Sequence, residues 1–180
     1  GAAALEIYES DFTVDAKSDA SPVTEADRLG EEIILDGLSK LAPHIPTLAE
    51  EAASEGNIPA LGREFFLVDP LDGTKEFITR TGEFTVNIAL VRDGRPALGV
   101  VYAPAIGKLY SGVQGAGATL IRIEGGKPGE TVRIAARKTP AKGLIAVASR
   151  SHRGPETDAF LETLDVADFA AAGSSLKFCL

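Results

Sequence analysis

The sequence predicts an α+β fold, an antiparallel sheet covered by helices and followed by the opening of a second α/β unit. Three observations predict it. Between Phe84 and Ile123 short β-rich runs alternate with turn residues such as Asp93-Gly94, the pattern of an antiparallel meander. Ahead of the meander, Leu29, Ile33, Ile34 and Leu38 keep the spacing of an amphipathic helix. From Leu144 to Ala172 the order is apolar run, helical run, apolar run, as in a β-α-β unit. At 180 residues, 44% hydrophobic and 24% charged, the chain can bury one core, or one domain plus part of another.

Taken in order, residues 1–12 have the character of a helix end, and DAKSDAS (15–21) that of a polar turn. Ser21 is suited to cap the following helix, with Pro22 at its first position. His44 to Ala49 reads as a short strand leading into Glu50-Glu51, and a loop with Gly56, Asn57, Pro59 and Gly62 follows. In EFFLVDPLDGTKEF (64–77) an apolar strand ends in a rigid turn bearing two aspartates, and Gly73-Thr74 opens a helix. Phe84–Arg92, Ala97–Tyr102, Lys108–Gly112 and Ala118–Ile123 are the strands of the meander. Glycines and the Lys138–Lys142 stretch around Pro140 place a domain boundary near residue 140, giving units 1–140 and 141–180. In the second unit Leu144–Ala148 reads as a buried strand, Glu156–Leu164 as a helix and Asp168–Ala172 as a strand. The chain has no methionine, and GSSLKFCL at its end reads as a helix that opens and stops, so a further C-terminal portion is expected.

Composition narrows the function. A net charge of −8 argues against a nucleic-acid partner. No apolar run approaches the roughly 18 residues of a membrane span, so no stable membrane insertion is expected. The N-terminus lacks the basic start of a signal peptide. The single cysteine, Cys179, gives no disulfide framework and fits a reducing cytoplasm. His44 and His152 are far apart and have no cysteine companions for a zinc site. Oligomeric state is not written in the sequence.

The most informative stretch is DPLDGT, residues 69–74. Asp69 and Asp72 can reach adjacent hard cations from one turn, and Pro70 fixes the backbone so that the Leu71 carbonyl points inward. The free N–H groups where Thr74 opens a helix suit a phosphate. Metal-assisted phosphate chemistry is therefore expected, since bound Mg²⁺ would invert the sign of the local field in an acidic protein. Read alone, the same stretch also serves as a plain strand-to-turn cap. TLAEE (47–51) can add a carboxylate or simply be solvated. Asp27 can orient a hydroxyl such as that of Thr74 or be an ordinary helix-surface acid. Ser149, Arg150 and Ser151 in ASRSH (148–152) can bind phosphate or sugar oxygens or form a polar loop.

Together, SPVTEAD, LAEE, DPLDGT and the terminal GSSLKF occur in the order found in the inositol monophosphatase-like, Mg²⁺-dependent, lithium-sensitive phosphatases. Within that superfamily, DPLDGTKEF with ASRSH and GSSLKFC most resembles the 3'(2'),5'-bisphosphate nucleotidases. The resemblance implies a layered α/β sandwich of the inositol monophosphatase and fructose-1,6-bisphosphatase type. It implies hydrolysis of adenosine 3',5'-bisphosphate to AMP and phosphate by a metal-activated water, with two or three Mg²⁺ ions. Carried over position by position, Glu50, Asp69 and the Leu71 carbonyl would hold one metal, and Asp69 and Asp72 would share the second. Glu50 would also serve catalysis, and Thr74 with Asp27 would activate the water. Gly73 and Thr74 would bind the scissile phosphate. Ser149, Ser151 and His152 would contact the nucleotide, while Ser174 and Lys177 would lie near the ribose or second phosphate.

One departure counts against full activity. The family completes its second metal shell with an aspartate from a W-D-x-A-A motif, and this chain has no tryptophan. The 180 residues are therefore expected to bind that metal poorly and to turn over slowly. Three alternatives stand beside the nucleotidase reading. One is an inositol or broad sugar-phosphate phosphatase of the same superfamily. A haloacid dehalogenase-type enzyme would need an acid two residues after Asp69, where Leu71 stands. A non-catalytic metal- or phosphate-binding module is the third.

Overall fold

The computed structural model describes residues 1–17 and 21–180. Helix α1 (Ala2–Glu9) leads into strand β1 (Val14–Ala16), which pairs antiparallel with β2 (Pro22–Thr24). The expected polar turn over 15–21 is thus partly strand, and Ser18, Asp19 and Ala20 of it lie outside the described residues. Ser21-Pro22 does not open the next helix. Pro22 begins β2, a position where its missing N–H is tolerated. Helix α2 (Glu25–Leu41) starts instead at a reciprocal cap: Thr24 Oγ accepts from Ala26 N at 3.2 Å, and Asp27 accepts from Thr24 N at 2.7 Å.

The expected strand 44–49 is shortened to β3 (Thr47–Ala49), because Pro46 has no N–H to donate. Helix α3 (Glu50–Ser54) follows directly. Strand β4 (Glu64–Asp72) does not end at Asp69 but runs on through the two aspartates. Asp69 pairs with Asn87 and Asp72 with Thr85, so three steps on β4 answer two on its neighbour. This is a β-bulge, and Pro70 sits in it where a ladder N–H is not needed. In a regular strand residues 69 and 72 would face opposite ways. The extra residue returns both carboxylates to one side.

Helix α4 (Thr74–Ile78) is followed by β5 (Thr85–Arg92), β6 (Arg95–Ala103), β7 (Lys108–Val113), β8 (Gly117–Glu124) and β9 (Lys127–Ile134). With β3 and β4 they form a seven-stranded sheet in chain order, parallel only between β3 and β4. Strand β9 is absent from the sequence reading. It is almost wholly exposed and contains Pro128-Gly129, so it lacks an apolar alternation. The signal for it is Gly125-Gly126, whose φ values of 55° and 73° make the two-residue hairpin turn.

Strands β10 (Leu144–Ser149) and β11 (Val166–Ala172) pair parallel across helix α5 (Pro155–Glu162). Strand β10 is partly exposed rather than buried, since a two-stranded sheet covers little of each strand. The terminal GSSLKF makes a 3₁₀ turn over Ser175–Phe178 rather than the opening of an α-helix.

The main core lies under the DPLDGT stretch. Ala4, Ala26, Leu71, Phe77 and Phe84 are buried together, with Tyr8 and Phe12 against them. Phe77 and Phe84 meet edge-to-face at 4.9 Å, and Tyr8 lies 4.9 Å from Phe84. Leu71 and Phe77 are the inward side chains of the bulge and of α4, so packing fixes the turn from below. Among the described residues no helix is long and apolar enough to cross a membrane.

Candidate active site

A cleft of about 380 Å³ opens above this core. Of the residues singled out from the sequence, Glu50, Asp72, Gly73, Thr74, Ser149, His152, Ser174 and Lys177 line it. Lys17, Lys75 and Glu76 line it as well and escape the sequence reading. Asp27 is buried behind the cleft, Leu71 is buried in the core, and Asp69 borders a shallow hollow on the sheet with Leu67 and Asn87.

The bulge organises its own turn. Leu71 N donates to Asp69 Oδ1 at 3.1 Å, and Thr74 Oγ1 stands 3.3 Å from the Leu71 carbonyl oxygen. Gly73 caps α4 in the left-handed region, φ 92°, where a side chain is strained. A Cβ there would also lie 3.1 Å from the Glu83 carbonyl oxygen and from Ser174 Cβ. Gly173 is required for close approach: its Cβ would fall 2.5 Å from Glu76 Cγ.

Asp27 does two jobs. Its Oδ2 accepts from Thr24 N and Thr24 Oγ1, each at 2.7 Å, and its Oδ1 lies 3.3 Å from Thr74 Oγ1. Burial raises its pKa against the lowering effect of the Thr24 hydrogen bonds, which makes it a stronger proton acceptor than a surface aspartate. Asp69 is pushed up to about 8, first by burial and then by the charges of Glu50 and Asp72. Burial raises Asp72 too, while Ser175 N–H and Lys177 pull it down.

Glu50 is placed by a contact between helices. The buried Glu31 carboxylate accepts from Glu51 N at 2.7 Å and Ala52 N at 2.8 Å, tying the first turn of α3 to α2. Lys17 Nζ bridges Glu50 Oε1 at 2.8 Å and Glu51 Oε1 at 2.7 Å. Burial works against that ammonium, but its hydrogen bonds to Glu50 and Glu51 outweigh it and raise its pKa. Among the described residues no three His, Cys, Asp or Glu side chains stand as a closed metal shell. The donor set nonetheless fits a hard divalent cation. Its ligating atoms are all oxygens, burial and then the neighbouring charges of Glu50 and Asp72 raise the pKa of Asp69, and a cationic group, Lys17, is already drawn to Glu50.

The far wall is built from β10, β11 and the last turn. Ser175 N donates to Asp72 Oδ2, and its hydroxyl meets Asn87 Oδ1 at 2.7 Å and Thr85 Oγ1 at 2.9 Å. Ser175 therefore fixes Asp72. Ser174 has φ 49°, and Lys177 Nζ donates to its carbonyl oxygen. The side chains of 149–152 are less free than the sequence suggests. Ser149 Oγ accepts from His152 N at 3.1 Å, Ser151 donates to Glu76, and Arg150 is held by Glu83 instead of facing a phosphate.

The whole chain, residues 1–180, matches the inositol monophosphatase family. It is 43% identical over 182 residues to the 3'(2'),5'-bisphosphate nucleotidase CysQ of Shigella flexneri, covering 100% of this chain and 71% of that protein. Identity to the corresponding enzyme of Escherichia coli K12 is 42% over the same share. Among solved structures, CysQ from Bacteroides thetaiotaomicron superposes with a TM-score of 0.78 at 37% identity, over 99% of this chain and 70% of that one. An IMPase of Thermotoga maritima superposes with a TM-score of 0.76 at 26% identity, over 98% of this chain and 65% of that one. On its cleft, its sheet order and this match along its full length, the chain belongs to the inositol monophosphatase family.

Proposed function

We propose that the chain is a Mg²⁺-dependent 3'(2'),5'-bisphosphate nucleotidase that hydrolyses adenosine 3',5'-bisphosphate to AMP and phosphate. The observation that carries the reading is the meeting on one cleft of the carboxylates Glu50 and Asp72 with the Gly73-Thr74 helix start. The whole-length likeness to enzymes named for this activity supports it. Glu50, Asp69, the Leu71 carbonyl and Asp72 are the groups that would hold two or three Mg²⁺ ions. When bound, Mg²⁺ supplies a Lewis acid for the phosphate and lowers the pKa of water.

The remaining chemistry belongs to side chains of this chain. The Gly73 and Thr74 N–H groups orient the phosphate. Thr74 Oγ accepts a proton from the attacking water and passes its own toward Asp27 Oδ1, 3.3 Å away. The water oxygen bonds to phosphorus, the 3' ester P–O bond breaks, and the leaving alkoxide takes a proton from solvent water to give AMP, the hydroxide so formed being neutralised by the proton that Asp27 gives back. Ser149, His152, Ser174 and Lys177 line the side of the cleft that receives the nucleotide, with Ser151 behind them. The same reading divides the chain near residue 140 into a metal-binding unit, 1–140, and the start of an α/β unit, 141–180. A phosphate-release panel tests it, with adenosine 3',5'-bisphosphate, inositol monophosphate and sugar phosphates, with Mg²⁺ and with added Li⁺. Preference for the bisphosphate and loss of activity without Mg²⁺ are expected. A preference for inositol monophosphate overturns the substrate, and activity indifferent to Mg²⁺ overturns the mechanism.

A further inference from the structure

Three successive residues of the wall after β10 are each gripped by the segment that follows the phosphate turn. Arg150 sets Nε and Nη2 on the two oxygens of Glu83, at 2.7 Å and 2.8 Å, and Nη2 also donates to the Ala171 carbonyl at 2.7 Å. Glu83 Oε2 accepts in turn from Gly173 N at 2.9 Å. Ser151 donates to the buried carboxylate of Glu76. Lys75 Nζ lies 3.2 Å from His152 Nε2, an arrangement that fits an ammonium donating to a neutral ring nitrogen. The guanidinium pair draws the Glu83 pKa down, so the carboxylate stays charged under the conditions of catalysis.

We infer that Lys75, Glu76 and Glu83 are positioning residues that hold the 150–152 wall in register with the phosphate turn, and that this latch sets the selectivity for a nucleotide over a bare phosphomonoester. The geometry gives the reason. Lys75 and Glu76 sit on α4 directly after Thr74, and Glu83 lies just before β5, so the groups that orient the phosphate and the groups that fix the nucleotide wall share one short segment. A substrate that reaches only the phosphate turn does not use the wall. A substrate with a nucleoside does. The inference rests on the nucleotidase reading.

The test compares adenosine 3',5'-bisphosphate with 4-nitrophenyl phosphate on the full chain with Mg²⁺, in wild type, Arg150→Gln, Glu83→Gln and Arg150→Lys. Loss of the bidentate pair is expected to raise KM for the bisphosphate about tenfold, with kcat and the constants for 4-nitrophenyl phosphate held within about twofold. Arg150→Lys should recover part of the loss, and the two glutamine variants combined should do no more harm than either alone, since they break one pair. Equal losses on both substrates, or no loss on either, overturn the inference and leave the nucleotidase reading standing. A wild type that does not favour the bisphosphate overturns that reading first. A melting curve on each variant separates a displaced wall from a fold that has come apart.

Discussion

Replacing Asp27 by asparagine separates its two jobs. The carboxylate accepts from Thr24 N and Thr24 Oγ1 through one oxygen and faces Thr74 through the other. An asparagine can turn its carbonyl oxygen to both Thr24 donors and keep the cap of α2, so the change in stability should stay within about 1 kcal/mol. Its amide then meets Thr74 with N–H groups, which donate where the carboxylate accepted. Thr74 is forced to donate toward the Leu71 carbonyl, and the route for the proton of the attacking water is closed. General-base loss costs roughly 10²- to 10⁴-fold in rate. Asp27→Ala, in contrast, strips the cap and leaves the buried Thr24 hydroxyl short of an acceptor, at a cost of about 2–3 kcal/mol. For a chain of this size that lowers the melting temperature by roughly 4–12 °C. Phosphate release from the bisphosphate and thermal melts by circular dichroism, on both variants, decide the matter. The reasoning is refuted if Asp27→Asn keeps the wild-type rate, or if it melts as low as Asp27→Ala.

Three further outcomes are expected. Folded Asp69 holds its proton up to about 8 against an ordinary value of 3.8, so the folded chain binds more protons than the unfolded one between those limits and loses stability as pH rises through them. In EDTA, melts of Asp69→Asn should therefore gain on wild type as pH climbs across that window, and melts that track in parallel contradict the account of a buried carboxylate beside Glu50 and Asp72. Gly73→Ala places a side chain at φ 92° and 3.1 Å from the Glu83 carbonyl, a cost of about 2–3 kcal/mol readable as a lower urea midpoint, with phosphate release lost alongside. Phe77→Ala empties the centre of the aromatic cluster under the turn and should cost about 3–5 kcal/mol by the same measurement.

Local chemistry was readable in advance and tertiary chemistry was not. DPLDGT announces itself because its residues act on one another across five positions: an aspartate on the next N–H but one, a glycine at positive φ, a threonine opening a helix. The meander is visible for the same reason, as runs joined by two-residue turns. The start of α2 was misplaced because Ser21-Pro22 and Thr24-x-x-Asp27 both carry capping residues, and only the second closes a reciprocal pair. Ser175 on Asp72 spans 103 positions, Lys17 on Glu50 spans 33, and Glu31 on the first turn of α3 spans 20. No periodicity records such partners. Arg150 stays open in the sequence because an arginine at a strand end looks alike whether it awaits a phosphate or already holds a glutamate.

The bulge in β4 also acts as a frame-setter. The five positions of β4 before Asp69 keep the two-residue frame of the sheet, and Asp72 is shifted by one. Deleting a residue between the two aspartates would restore a regular ladder and make a better strand. The two aspartates would then stand two positions apart and still share a face, but the buried Pro70 or Leu71 between them would be lost. Shortening this stretch by a single residue thus removes a core side chain together with the turn that presents Asp69 and Asp72, so a survey of tolerated deletions should find the bulge intolerant for both stability and turnover.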